Sequence, residues 1–202
     1  MAGLLAKADL AAPRILDKDL AQGFLVLTDL GRIGYLDALN ADLSLADLLM
    51  RPVLDTLIQW QQASTAATLP PYDAALLRRE LELFPEWFIG RHLGIELTDE
   101  DKIMLDRTFK FLINSALNQP KVFVHRDFMP RNLMLVENAE RLTPGIIDFQ
   151  DAVYGPITYD VVSLFRDAFI SWEEEQELDW VVRYWEKARA VGLPVREDFG
   201  DF

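Results

Sequence analysis

The feature that most constrains the fold lies between Val122 and Val136, where two short apolar runs enclose a polar loop. Val122–Val124 and Leu133–Val136 are too short for helices, and Pro130 closes the segment between them. Strand, tight loop, strand is what such a pattern supports. The loop carries His125, Asp127 and Asn132 in the order H-x-D-x-x-x-x-N. A second apolar run, Gly145-Ile-Ile-Asp-Phe149, contains a single acid, Asp148. Two carboxylates and one amide, each at a strand end, can converge on one bound cation. These residue types suit phosphoryl transfer. Asp127 would accept a proton from an acceptor hydroxyl, and Asn132 and Asp148 would hold the magnesium that bridges nucleotide phosphates. The plainer alternative is a buried loop whose Asp and Asn only cap turns.

Composition narrows the partners. The chain has 202 residues, half of them hydrophobic, enough for a sizeable core. A formal charge of −13 repels phosphate backbones and anionic lipid surfaces, so neither nucleic acid nor a membrane is expected as partner. With no cysteine there is neither a disulfide framework nor a thiolate zinc site. No apolar run reaches the ~18 residues of a membrane span. The opening Met-Ala-Gly-Leu-Leu-Ala-Lys lacks a preceding basic stretch and reads as a short helix over Gly3–Leu10, not as a signal peptide. A soluble, cytoplasmic protein is expected.

Along the chain, Pro13–Asp17 and Gly23–Thr28 read as two short strands. A helix is expected over Ser44–Ala63, with Leu45, Leu48, Leu49, Val53, Leu57 and Trp60 on one face and Pro52 kinking or splitting it. A second helix, Tyr72–Leu93, carries Pro85 and the aromatic cluster Phe84, Trp87 and Phe88, which is expected to be core. Thr98 and Asp101 form a capping box, starting a helix to Leu117 with Ile103, Leu105, Phe109, Leu112 and Ile113 inward. Glu137–Arg141 reads as a polar hairpin turn. Helices are expected after Thr158 and over Glu173–Ala190.

Three stretches carry a family resemblance: His125-Arg-Asp-Phe-Met-Pro-Arg-Asn-Leu-Met134, Gly145-Ile-Ile-Asp-Phe-Gln-Asp-Ala152 and Gly155-Pro-Ile-Thr-Tyr-Asp-Val-Val-Ser-Leu164. They resemble the catalytic core of the aminoglycoside phosphotransferase and choline kinase family, relatives of the protein kinases. The nearest likeness is to its bacterial branch acting on N-acetylmuramate and N-acetylglucosamine. A weaker match, Gly23-Phe-Leu-Val-Leu-Thr-Asp-Leu-Gly31, resembles the hinge between two lobes.

The resemblance implies an α+β, protein-kinase-like fold, with a mostly helical C-terminal lobe, short catalytic strands and a remnant of the N-terminal lobe. Residues 1–30 would be that partial lobe and the hinge, and residues 31–202 the catalytic lobe, apparently truncated at its C-terminus. It implies ATP and Mg2+, with adenine meeting backbone groups near Leu27, Thr28 and Asp29, and a small-molecule hydroxyl acceptor, a sugar. Asp160 matches an aspartate that braces the catalytic loop, and a helix-capping role is compatible with that. His125 is expected to support the loop from below. Phe128, Arg131, Asp151 and Tyr154 neighbour the chemistry in sequence and are the expected acceptor contacts, Arg131 suiting a substrate carboxylate.

The pattern departs from the family in one respect. No glycine-rich phosphate loop and no strand lysine can be placed, since Lys7 and Lys18 lie outside any apolar run. Besides a small-molecule kinase, two readings therefore stay open: a truncated or degenerate relative with a non-catalytic binding role, and a metal-dependent phosphohydrolase. An open strand edge in the N-terminal hairpin also suggests a homodimer.

Overall fold

The computed structural model describes residues 1–136 and 142–202. The turn expected over Glu137–Arg141 lies outside the described residues. Helix α1 (Ala2–Lys7) precedes a hairpin of β1 (Ile15–Asp19) and β2 (Phe24–Leu27). The two strands pair antiparallel, with an irregularity between Ile15 and Asp17. Gly23, at φ +78°, supplies the left-handed residue of their turn. Every residue of both strands is exposed, and neither strand pairs with a third among the described residues. Helix α1 joins the main core, burying Leu5 completely.

Helix α2 (Tyr35–Ala41), unforeseen in the sequence, seats Tyr35 and Leu39 in the same core. Helix α3 (Ala46–Gln62) runs through Pro52 as one continuous element, not two. Its Leu49, Met50, Val53, Leu54, Leu57 and Trp60 are buried, whereas Leu48 points outward.

Helix α4 (Ala74–Leu83) starts at Asp73, whose carboxylate accepts the Leu76 N–H at 2.9 Å. At Pro85 the expected single helix changes character, and Phe84–His92 winds as a wider π-helical stretch. The proline has no N–H to return to the preceding turn, and Leu93 donates five residues back, to the Phe88 carbonyl. This stretch overturns one expectation. Phe84, Trp87 and Phe88 are 48%, 52% and 48% exposed, not core. Helix α5 (Asp99–Leu117) has the capping box, with Thr98 Oγ1 accepting the Asp101 N–H and Asp101 accepting the Thr98 N–H at 3.0 Å. It buries only Phe109 and Ile113; Ile103 and Leu112 face outward, contrary to expectation.

The stretch around the His125–Asn132 loop is built from four very short strands. Strand β3 (Lys121–Val124) pairs antiparallel with β6 (Val153–Pro156), and β4 (Leu133–Leu135) pairs antiparallel with β5 (Pro144–Ile146). Side chains alternate across a strand, and β3 is buried on both faces. Phe123 enters the main core against Trp60, ring centroids 4.9 Å apart, while Val122 and Val124 enter a second cluster with Tyr72, Leu77, Ile113 and Ile157. Burying side chains of this size contributes roughly 1.5–3 kcal/mol each. The strand before the loop is thus wedged between two cores and cannot slip. Helices α6 (Tyr159–Phe165) and α7 (Glu174–Ala190) close the main core through Leu164, Phe165, Trp180 and Tyr184. No helix among the described residues is long and apolar enough to cross a membrane.

Candidate active site

The loop after β3 is held from below by two residues. Asp160, wholly buried at the start of α6, accepts the His125 N–H at 2.7 Å and the Arg126 N–H at 3.0 Å. Burial raises its pKa to about 7, against the lowering effect of those two hydrogen bonds. His125 is equally buried. Its Nδ1 accepts the Asp127 N–H at 3.3 Å, which assigns the ring proton to Nε2, donated to the Ile147 carbonyl at 3.1 Å. Burial lowers the His125 pKa to about 4, so the ring is neutral and ties the loop to the segment leading to Asp148.

The loop then turns sharply. The Asp127 carbonyl accepts the Met129 N–H at 3.0 Å and the Asn132 side-chain Nδ2 at 2.9 Å. Pro130–Asn132 forms one 3₁₀ turn. With Nδ2 engaged, Asn132 Oδ1 is left as the acceptor and accepts no hydrogen bond among the described residues. The Asn132 carbonyl receives the Ile147 N–H at 3.1 Å, which draws Asp148 alongside. Two non-glycine residues here have left-handed backbones, Arg126 at φ +79° and Asp148 at φ +63°. Such conformations cost on the order of 1–3 kcal/mol and persist where surrounding contacts fix them.

Asp127, Asn132 and Asp148 line one cavity of about 720 Å³. Desolvation raises the Asp127 pKa, the charge of Asp148 raises it further, and Arg126 opposes both. A carboxylate whose charge a second carboxylate disfavours, beside a free amide oxygen, belongs to a donor set that a small dication would relieve. The far wall, Ser163, Arg166, Asp167 and Phe169 of α6 and its following turn, was not legible in the sequence, where those residues read as an ordinary amphipathic helix and its end.

The other expected site residues fall in different places. Arg131 lines the cavity, its guanidinium 4.8 Å from the Phe169 ring centroid. Phe128, expected on the acceptor side, is instead fully buried beneath the loop, edge-on to His125. Tyr154 is half-buried in β6 against Phe123 and does not line the cavity. Asp151 is exposed and reaches the site through its carbonyl, which accepts Arg126 Nη1 at 3.3 Å. Thr28 and Asp29 border a separate hollow of about 310 Å³ beside α1, and Leu27 stands exposed next to it. Leu30, which borders the same hollow, touches strand β5. A Cβ on Gly145 would stand 2.9 Å from Leu30 Cδ1, so glycine permits the approach.

Comparison with known proteins gives the family and the fold. The profile of the phosphotransferase enzyme family matches residues 1–197. The chain is 52% identical to the N-acetylmuramate/N-acetylglucosamine kinase of Pseudomonas aeruginosa over 202 residues, all of this chain and 58% of that protein. It is 50% identical to the kinase of the same name from Neisseria meningitidis serogroup B over 192 residues, 94% of this chain and 56% of that protein. The chain therefore spans just over half the length of these curated relatives. Among solved structures, the gentamicin complex of APH(2")-IIa superposes with a TM-score of 0.64 at 19% identity, over 95% of this chain and 65% of that one. The ADP-bound aminoglycoside phosphotransferase APH(2'')-Ib gives 0.63 at 18%, over 95% and 66%. At such identities the likeness is one of fold, and the fold is the expected α+β, protein-kinase-like one. Loop order, paired carboxylates and sequence identity lead to the same place: the chain belongs to the phosphotransferase enzyme family.

Proposed function

We propose that the protein carrying this chain transfers the γ-phosphate of ATP to a hydroxyl of a small amino sugar, of the N-acetylmuramate or N-acetylglucosamine kind. The observation that carries this is the shared cavity of Asp127, Asn132 and Asp148, and the 52% identity to a kinase of that name supports the acceptor class. Asp127 orients the acceptor hydroxyl and takes its proton as the bond to phosphorus forms. Magnesium held by Asn132 Oδ1 and Asp148 would neutralise charge on the nucleotide phosphates. Arg131 stands ready for an acceptor carboxylate. Adenine would sit against the backbone near Leu27, Thr28 and Asp29. On this reading residues 1–30 are a partial N-terminal lobe with the hinge, residues 31–202 are catalytic, and the protein works in the cytoplasm.

A phosphohydrolase reading is weaker. A two-metal centre wants more carboxylates or histidines, and no cluster of three or more such groups that could hold a metal occurs among the described residues. The test is phosphotransfer from ATP with N-acetylmuramate and N-acetylglucosamine in the presence of magnesium. Asp127→Asn should lower kcat by about 10²–10⁴ while leaving the melting temperature within a few degrees. Near-normal kcat in that variant would remove Asp127 as the base. No turnover in the parent protein would favour the non-catalytic reading.

A further inference from the structure

Arg126 sits between the strut His125 and the proposed base Asp127, yet it does not face the cavity as a free cation. Its guanidinium pairs with Glu80, in the second turn of α4, and both side chains are largely shielded from solvent. The same Glu80 carboxylate receives the Tyr72 hydroxyl and, at 3.5 Å, the Tyr159 hydroxyl. These donors come from three separate places. Arg126 belongs to the loop, Tyr72 to the segment before α4, and Tyr159 adjoins Asp160, which holds the loop backbone.

The anchors themselves are fixed. Tyr72 donates its N–H to the Tyr154 carbonyl at 2.9 Å, and Tyr154 donates to the Pro70 carbonyl at 2.8 Å. The ring packs so closely on β6 that a Cβ on Gly155 would lie 2.6 Å from Tyr72 Cβ. Arg126 meanwhile holds a left-handed backbone, and its carbonyl accepts the Ser163 hydroxyl at 3.3 Å. A largely shielded acid shared by three donors is a fixed point, and the one loop side chain it grips precedes the proposed base.

We propose that Glu80 is a positioning residue whose carboxylate clamps Arg126 and so fixes the backbone that presents Asp127 to the cavity. The clamp also occupies a guanidinium that would otherwise compete for phosphate or acceptor anions. Only its catalytic consequence rests on the phosphotransferase reading above; the mechanical claim stands on the contacts.

The test has two arms, run on the full chain. In the first, amide hydrogen exchange is compared in the parent, Glu80→Gln, Arg126→Met and the double variant. Glu80→Gln should speed exchange at the His125, Arg126 and Asp127 amides about tenfold and leave the α5 amides unchanged, because only local opening is affected. The double variant should be no faster than Arg126→Met alone, since both remove one contact. Unchanged loop exchange, equal acceleration in α5, or additive effects would each overturn the clamp. If Glu80→Gln does not fold, Arg126→Met removes the contact from the other side and supports the same comparison with α5. In the second arm, Glu80→Gln should lower kcat about tenfold with the nucleotide KM unchanged. A parent without turnover defeats the phosphotransferase reading while the exchange arm still judges the clamp. An active parent whose Glu80→Gln variant keeps its kcat defeats the proposal.

Discussion

Asn132 and Asp148 reach the cavity by different routes, and their removal should read differently from that of a neighbour. Asn132 is oriented by its own amide bond to the Asp127 carbonyl, and Asp148 by a strained backbone and a 2.7 Å bond from Gln150 Nε2. Alanine at either position should raise the magnesium needed for half-maximal nucleotide binding about tenfold or more, while Asp151→Ala, exposed beyond the strand end, should shift it little. Titration calorimetry at varied magnesium checks this, and an unchanged dependence in Asp148→Ala would leave no basis for the two-donor site. Beneath the loop, two titrations oppose each other. Folded Asp160 keeps its proton up to about pH 7, whereas the unfolded side chain loses it near 3.8. The stability this lends is complete below the unfolded value and drains away as pH rises through 7. Folded His125 stays neutral down to about pH 4, whereas the unfolded ring protonates near 6.5. Its contribution is complete above 6.5 and is lost as pH falls toward 4. Between those limits the two largely offset each other, Asp160 amounting to roughly 4 kcal/mol and His125 to roughly 3 kcal/mol. Asp160→Asn should therefore reveal a melting temperature that falls by several degrees from pH 6.5 to 4.5, where the parent stays nearly level. A level curve in the variant would show that His125 does not titrate in this window.

At the scale of elements, the close approach of β6 and the segment before α4 should be the least forgiving contact outside the loop. Gly155→Ala would drive a methyl into the Cβ and ring of Tyr72, and neither atom is the free end of a flexible chain. A loss of about 1–3 kcal/mol is expected, read from the denaturation midpoint; a loss below half a kcal/mol would mean that the segment yields freely. Elements differ in how much of this was legible beforehand. The capping box of α5 is a local signal whose physics lies within a few residues and appears where expected, and the N-terminal hairpin appears too, with its first strand two residues later than expected. The loop was legible for the same reason, because H-x-D-x-x-x-x-N lies within eight consecutive residues between two strands. Phe128 misled because it adjoins Asp127 in sequence, yet the turn after Asp127 sends its ring into the core. The aromatics Phe84, Trp87 and Phe88 misled because large apolar residues are usually buried, and sequence periodicity does not say what, if anything, covers a face. Glu80 carried no signal at all. It is one acid in an amphipathic helix, forty-six positions from the arginine it grips.

At the scale of the molecule, the contrast is between a loop held by two cores and a hairpin held by none. Strands β1 and β2 contribute no buried residue, and their apolar side chains Ile15, Leu16, Leu20, Phe24, Leu25, Val26 and Leu27 are between 45% and 73% exposed. An isolated two-stranded hairpin is marginal in water, and unpaired edges beside exposed apolar rows are templates for another strand. The same hairpin leads directly to Leu30, which packs on Gly145 two residues before the Ile147 that reaches His125. What pairs with the hairpin is therefore placed next to the site. This chain should self-associate through it, with a sedimentation coefficient that rises over the micromolar to millimolar range. Lysine at Leu25 and Val26, one on each face of β2, should weaken that association about tenfold by adding charge to the exposed rows. The melting transition of the two cores should stay in place, because neither residue belongs to them. Sedimentation velocity on the parent and the double variant decides the matter. A parent that remains monodisperse at all concentrations, or a variant that associates as strongly, would show that the hairpin is not the contact.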